Sequence, residues 1–315
     1  MPRVVVFGSS NTDMTVRVQR LPVPGQTVLG DGFSTTPGGK GANQAVAARR
    51  AGADVAFVTA VGDDDLGKRA LELYQNERID VSHIRFLSGV ASGVALIFVA
   101  ADGENMIGVA SGANFRLTPD DVDRLPSSLF RTGDVLLASL EIPVETSTRA
   151  LRRGIKAGMR TILNPAPAPT LSPSQAQELL SIATVVTPNR VEALALAGWT
   201  PEPGVEPDWA ACGSCLSEMG PAAVVITLGS RGCQVVAGKP RLIPAPEVEA
   251  VDTVGAGDAF NGALAVALAE GLPLEEAAQW ANAAAALAVT RPGAQAALAF
   301  RDSIDQLARR ITKTI

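Results

Sequence analysis

The chain has 315 residues, 47% of them hydrophobic, which suits a globular fold with a large core and excludes a disordered chain. Its formal net charge of −5 argues against a basic surface for nucleic acid. Cys212, Cys215 and Cys233 are an odd set with no disulfide framework, the start MPRVVVFGSS has no signal-peptide pattern, and no apolar run reaches about 18 residues, so a cytoplasmic protein is expected.

Strands are predicted at 3–8, 54–62, 134–140, 160–164, 183–189 and 223–229, with amphipathic helices at 42–52 and 66–77 among the segments between them. Nearly continuous apolar strands alternating with helices predict an α/β fold whose mostly parallel central sheet is covered on both faces. Helical patterns dominate from Ala259 onward. Two stretches break the rhythm. Residues 12–36 alternate around Pro22, Pro24 and Gly25, and residues 92–110 form two strand-like runs about an Asp102-Gly103 turn. Together they predict a small β-sheet lid on a single domain spanning 1–315. The Pro-rich segment 200–208 reads as a surface loop within that domain.

Some features carry no chemistry on this reading. Cys212 and Cys215 have C-x-x-C spacing but sit in a helical pattern with no second ligand pair. His83, the single histidine, lies in a strand-like approach to the lid and reads as a surface or packing residue. The Ala-rich run 277–289 reads as close helix packing.

The stretch 252-DTVGAGDAFNGAL-264 is different. Small residues Gly255, Ala256 and Gly257 precede a helix, where unpaired backbone N–H groups carry partial positive charge. They would let a phosphoryl group approach the backbone, with Asp258 placed to take a proton from a hydroxyl. An ordinary capped helix start gives the same pattern, since the dipole favours Asp there. Around Lys40 the chain reads 37-PGGKGAN-43, where Gly41 replaces the Ser or Thr a P-loop needs. The first strand leads into 7-FGSSNTD-13, which is no dinucleotide fingerprint. The glycines at 38–41 read as a tight turn where backbone meets a ligand, or as a plain strand–helix turn capped by Asn43.

In order and at matching spacing, 37-PGGKGANQAVAA-48, 187-TPNRVEA-193, 226-ITLGSRG-232 and 252-DTVGAGDAFNGAL-264 resemble the PfkB, or ribokinase-type, family of sugar kinases over essentially the whole chain. The stretches 8-GSSNTDM-14, 163-LNPAPA-168 and 290-TRPGAQ-295 resemble its ribose-phosphorylating members. The resemblance implies a ribokinase-like three-layer sandwich and ATP-dependent phosphorylation of D-ribose at the 5-hydroxyl. A kinase for 2-deoxyribose, fructose or a nucleoside, or a non-catalytic sugar-binding regulator, is the alternative. It implies sugar contacts at Asn11, Thr12, Asp13, Gly39, Lys40, Gly41, Ala42, Asn43 and Glu141. Asp258 corresponds to the catalytic base, and Gly255, Ala256 and Gly257 to the anion hole.

On the nucleotide side the resemblance implies Asn189 and Glu192, which organise Mg²⁺ waters and phosphates, and the loop Thr227, Leu228, Gly229, Ser230, Arg231 and Gly232, with Asn282 near the adenine. Arg190 stands where the family often has an acidic residue. A potassium-like ion is implied at Asp252 and the carbonyls of Val254, Ala288, Arg291 and Gly293, with Ala297 where a serine often completes the site. A homodimer through the lid is implied as well.

Overall fold

A computed structural model describes residues 1–168 and 171–312. In chain order the first half gives β1 (Arg3–Phe7), β2 (Asn11–Val18), β3 (Gly30–Gly38), α1 (Lys40–Arg50), β4 (Asp54–Val58), β5 (Ala60–Gly62), α2 (Asp65–Asn76), β6 (Arg85–Leu87), β7 (Gly93–Ala100), β8 (Asn105–Ala110) and α3 (Pro119–Arg124). There follow β9 (Val135–Ser139), α4 (Val144–Lys156), β10 (Arg160–Asn164), α5 (Pro173–Ser181), β11 (Val185–Val186), α6 (Arg190–Ala197), α7 (Trp209–Glu218), β12 (Ala223–Thr227), β13 (Cys233–Val236) and β14 (Arg241–Ile243). The chain closes with α8 (Ala256–Ala269), α9 (Leu274–Ala288) and α10 (Arg301–Thr312).

The main sheet has eight strands in the order β14-β13-β12-β11-β10-β9-β1-β4. It is parallel from β4 to β12, and β13 and β14 add to it antiparallel. Successive strand residues face opposite sides, and both sides are buried. Val4, Val6, Val135 and Leu137 enter one core with α1, α8 and α9. Val5, Phe7, Leu136 and Ala138 enter the other with α4, α5 and α7. That gives three layers and explains why the strands read as nearly unbroken apolar runs.

From β1 the chain crosses to β4 on one side and later resumes at β9 on the other, so the strand order reverses between β1 and β9. Open α/β sheets bind ligands at the carboxyl ends of their strands at such a reversal.

A second, four-stranded sheet has the order β3-β2-β7-β8 and draws on residues 11–38 and 93–110. Its strand β8 is exposed at every position. A third pair, β5 with β6, is parallel and was not expected. The strand predicted over 54–62 breaks at Thr59 into β4 and β5, because only the first part stays in the main sheet. The strand predicted over 183–189 shortens to Val185–Val186 before the chain turns to cap α6. His83 lies in a turn ahead of β6, 3.9 Å from the Asp80 carboxylate. Cys212 and Cys215 lie within α7 as free thiols.

Candidate active site

The turn into α1 is built for close approach. Gly39 has φ 89°, a region L side chains avoid, and a Cβ on Gly41 would stand 2.4 Å from the Gly8 carbonyl carbon. Without side chains there, the start of α1 rests directly on the end of β1. The Asp13 carboxylate lies against this turn, since a Cβ on Gly38 would stand 2.3 Å from either of its oxygens.

Asp258 sits in the first turn of α8, 7% exposed. Its Oδ2 accepts Asn43 Nδ2 at 2.9 Å and its Oδ1 accepts Gln44 Nε2 at 3.0 Å. Burial pushes its pKa above the usual carboxylate range, although the Lys40 charge and the two amide donors oppose the rise. For Lys40 the order is reversed. Burial alone would lower its pKa, but the carboxylates of Asp258, Glu141 and Glu192 outweigh it and hold the ammonium charged.

Glu141 follows β9, and its Oε2 accepts Ser9 Oγ at 2.5 Å and the Lys40 backbone N–H at 3.0 Å. Asn11 and Asp13 lie on one face of β2, and the alternation of the strand puts Thr12 on the other. Asn11 Oδ1 accepts Asn114 Nδ2 at 2.7 Å. Asp13 is raised to about 6, first by burial and then by the charges of Glu141 and Asp258. Gly41, Ala42 and Asn43 are buried on α1.

Beside Asp258 a cleft of about 460 Å³ opens, lined by Lys40, Glu192, Arg190, Thr227, Gly229 and the 255–258 turn among others. Asn189 and Glu192 form a reciprocal capping box on α6. Asn189 Oδ1 accepts the Glu192 N–H and Glu192 Oε2 accepts the Asn189 N–H, both at 2.9 Å. Gly255 precedes α8 with φ 77°, a left-handed conformation. Among the described residues the N–H groups of Gly255, Gly257 and Asp258 donate no hydrogen bond, whereas Ala256 N–H donates to Thr253 O at 3.3 Å. Two of the three amides expected to cradle an anion are therefore open, and the Asp258 amide joins them.

Other predicted residues stand further out. Leu228 is buried, Ser230 and Arg231 are exposed in the turn to Gly232, and Arg231 pairs with Glu206. Asn282 is 4% exposed and its amide donates to the carbonyls of Ile243 and Pro244 at 3.1 and 3.3 Å, so it holds the chain leaving β14. Asp252 joins two loops by accepting Val254 N–H at 3.0 Å and Gly293 N–H at 2.8 Å. Among the described residues no backbone N–H donates to the carbonyls of Val254, Ala288, Arg291 and Gly293. Ala297 is buried close by in sequence.

The sequence did not single out four amide side chains that organise the site. Gln44 donates to Asn164 as well as Asp258, Asn114 braces Asn11, and Gln295 Nε2 donates to Asn43 Oδ1 at 3.0 Å. Their signal is a polar residue on an otherwise apolar helix face or beside a glycine turn. It becomes legible only when the partner, often more than a hundred positions away, is known.

Comparison with known proteins agrees with this geometry. Residues 1–300 match the pfkB family of carbohydrate kinases. The chain is 40% identical to a ribokinase of Haemophilus influenzae over 95% of each chain. A ribokinase structure from Thermotoga maritima superposes with a TM-score of 0.87 at 32% identity, over 98% of this chain and all of that one. The Arabidopsis thaliana ribokinase, solved with ribose and ATP, superposes at 0.85 with 30% identity over 98% of both chains. With the family model matched over residues 1–300 and relatives of this identity covered almost end to end, this chain belongs to the pfkB family of carbohydrate kinases.

Proposed function

We propose that this chain phosphorylates D-ribose at its 5-hydroxyl with ATP, giving ribose 5-phosphate and ADP. The observation that carries the reading is the position of Asp258. It is a buried carboxylate hydrogen-bonded to Asn43 and near the charges of Asp13 and Glu141, which suit a polyol, and it sits in the turn whose open amides suit a phosphoryl group. Asp258 takes the proton of the 5-hydroxyl as that oxygen forms its bond to the γ-phosphorus, and the bond to the β-bridging oxygen breaks to release ADP. The open amides stabilise charge on the transferring group. Lys40, held cationic by its carboxylate neighbours, serves the same charge. Thr227 to Gly232 and Asn282 frame the nucleotide side.

Mg²⁺ binds proteins through one or two carboxylates together with substrate phosphates. Glu192 fits that role, being a buried oxygen donor whose orientation is fixed by the Asn189 N–H. When bound, the ion neutralises phosphate charge. An ADP-release assay across ribose, 2-deoxyribose, fructose and nucleosides tests the whole reading. The best kcat/KM is expected for ribose, and no sugar-dependent release would end the proposal.

The Asp252 carboxylate with four carbonyls that accept no backbone N–H is a donor set suited to a potassium-like ion. Such an ion would stiffen the loop before α8 and act through preorganisation. Activity is expected to be higher in potassium than in sodium at constant ionic strength, mainly in kcat. Asp252→Ala should abolish the difference, and Ala297→Ser should lower the potassium concentration required. Equal rates in both salts would remove the ion from the reading.

The four-stranded sheet acts as a lid over the sugar. Leu96, Met106, Ile107 and Val109 are each about half exposed on it, which favours burial against a second copy. A homodimer at micromolar concentration is the expected result in sedimentation, and a monomer throughout would refute lid pairing. No described helix is long and apolar enough to cross a membrane, and we assign the enzyme to the cytoplasm.

A further inference from the structure

We propose that Gln295 is a positioning residue that fixes which end of the Asn43 amide faces the catalytic carboxylate. The inference rests on the reading of Asp258 as the base. An asparagine amide has a donor end and an acceptor end of nearly equal size. Only with Nδ2 turned to Asp258 does Asn43 favour the ionised base. Nothing in the Asn43–Asp258 pair alone enforces this, because a protonated carboxyl would bond the acceptor end equally well. Gln295 favours it by donating Nε2 to Asn43 Oδ1 at 3.0 Å, a bond that a reversed Asn43 amide would lose.

Gln295 is itself held from α1. Arg50 donates to the carbonyls of Gln295 and Leu298 at 2.7 and 3.0 Å, while its other N–H groups bind Glu77. The segment after the 289–293 loop is therefore pinned to the helix that carries Asn43 and Gln44. Gln295 is 4% exposed, yet its Oε1 has no hydrogen-bond partner among the described residues. A buried acceptor without a partner destabilises a fold. An apolar residue of the same size would pack there without that cost, and the bond from Nε2 to Asn43 is what a glutamine adds.

The charged groups facing Asp258 are Lys40 from α1, Glu141 after β9, Asp13 from β2 and Glu192 from α6. Three of the four are acidic and oppose ionisation of the base. A lost or reversed amide contact is therefore felt directly in its titration.

The test uses Gln295→Met, which keeps volume but not the donor, and Gln295→Glu, whose carboxylate turns the Asn43 amide around. Three quantities are read: the acid limb of the pH profile of kcat/KM, the infrared carboxyl band assigned by its absence in Asp258→Asn, and the thermal midpoint. A hydrogen bond to a charged group corresponds to a shift of about one to two pH units. The Met variant is expected to move both the acid limb and the band upward by that amount with an unchanged or higher thermal midpoint. The Glu variant is expected to move them further. Wild-type titration in both variants, with only the thermal midpoint altered, would overturn the proposal. Full turnover in Asp258→Asn would sink the base reading instead, and the infrared titration would still decide the role of Gln295.

Discussion

Asp258→Asn is expected to lower kcat by about 10²–10⁴-fold, the range a positioned base contributes. The amide keeps the shape of the carboxylate but cannot take the proton of the sugar hydroxyl. Its NH₂ end must also face one of the two donors, Asn43 Nδ2 or Gln44 Nε2, that now converge on the carboxylate. The loss should fall on kcat, with nucleotide affinity retained, because the cleft proposed for the nucleotide is lined mainly by other groups. ADP release at saturating ribose, with nucleotide binding measured calorimetrically, checks this. Near-full turnover would take Asp258 out of the mechanism.

Asp13→Asn is expected to act on binding and stability in opposite directions. An unfolded Asp titrates near 3.8 and the folded Asp13 at about 6, so the folded chain disfavours the ionised form. The resulting penalty is absent below the unfolded value, grows as pH rises through this window and is complete above it, reaching at most about 3 kcal/mol. The variant should therefore melt higher than wild type at about pH 8 and show no gain at about pH 3.5. The same substitution removes an ionised acceptor for sugar hydroxyls, a contact worth about 1.5–3 kcal/mol, so KM for ribose should rise roughly 10–100-fold. Wild-type ribose affinity should itself fall as pH drops below about 6, where the carboxylate protonates. Unchanged ribose KM in the variant would show that the sugar lies elsewhere.

The alternating α/β pattern was legible because strands buried on both faces are nearly continuous in apolar residues, as in β1 and β9. The edge strands β13 and β14 were not. They have four and three residues, and their pairing depends on a turn at Gly238 that has no periodic signature. Asp258 could be picked out because a carboxylate follows small residues at a helix start, whereas Glu141 came only from the family resemblance. Asn282 shows where that logic runs out. Its place on α9 is evident, but its amide faces the carbonyls of Ile243 and Pro244, which no local pattern predicts. Gln295 and Asn164 were hidden for the same reason, since each acquires its meaning only from partners brought close by the sheet reversal.

The carboxylates of Glu141, Glu192 and Asp258 act on the Lys40 ammonium, Asp13 lies near Glu141 and Asp258, and Arg190 lines the cleft. Carboxylates outnumber the Lys40 ammonium there, so an incoming triphosphate meets like charge as well as that cation. A triphosphate whose charge is partly neutralised by a divalent cation is expected to meet less of that repulsion than the free form. Screening by salt weakens that repulsion. The association rate of the nucleotide is therefore expected to rise with ionic strength, the reverse of what holds for sites steered by opposite charge, and stopped-flow binding at two salt concentrations checks it.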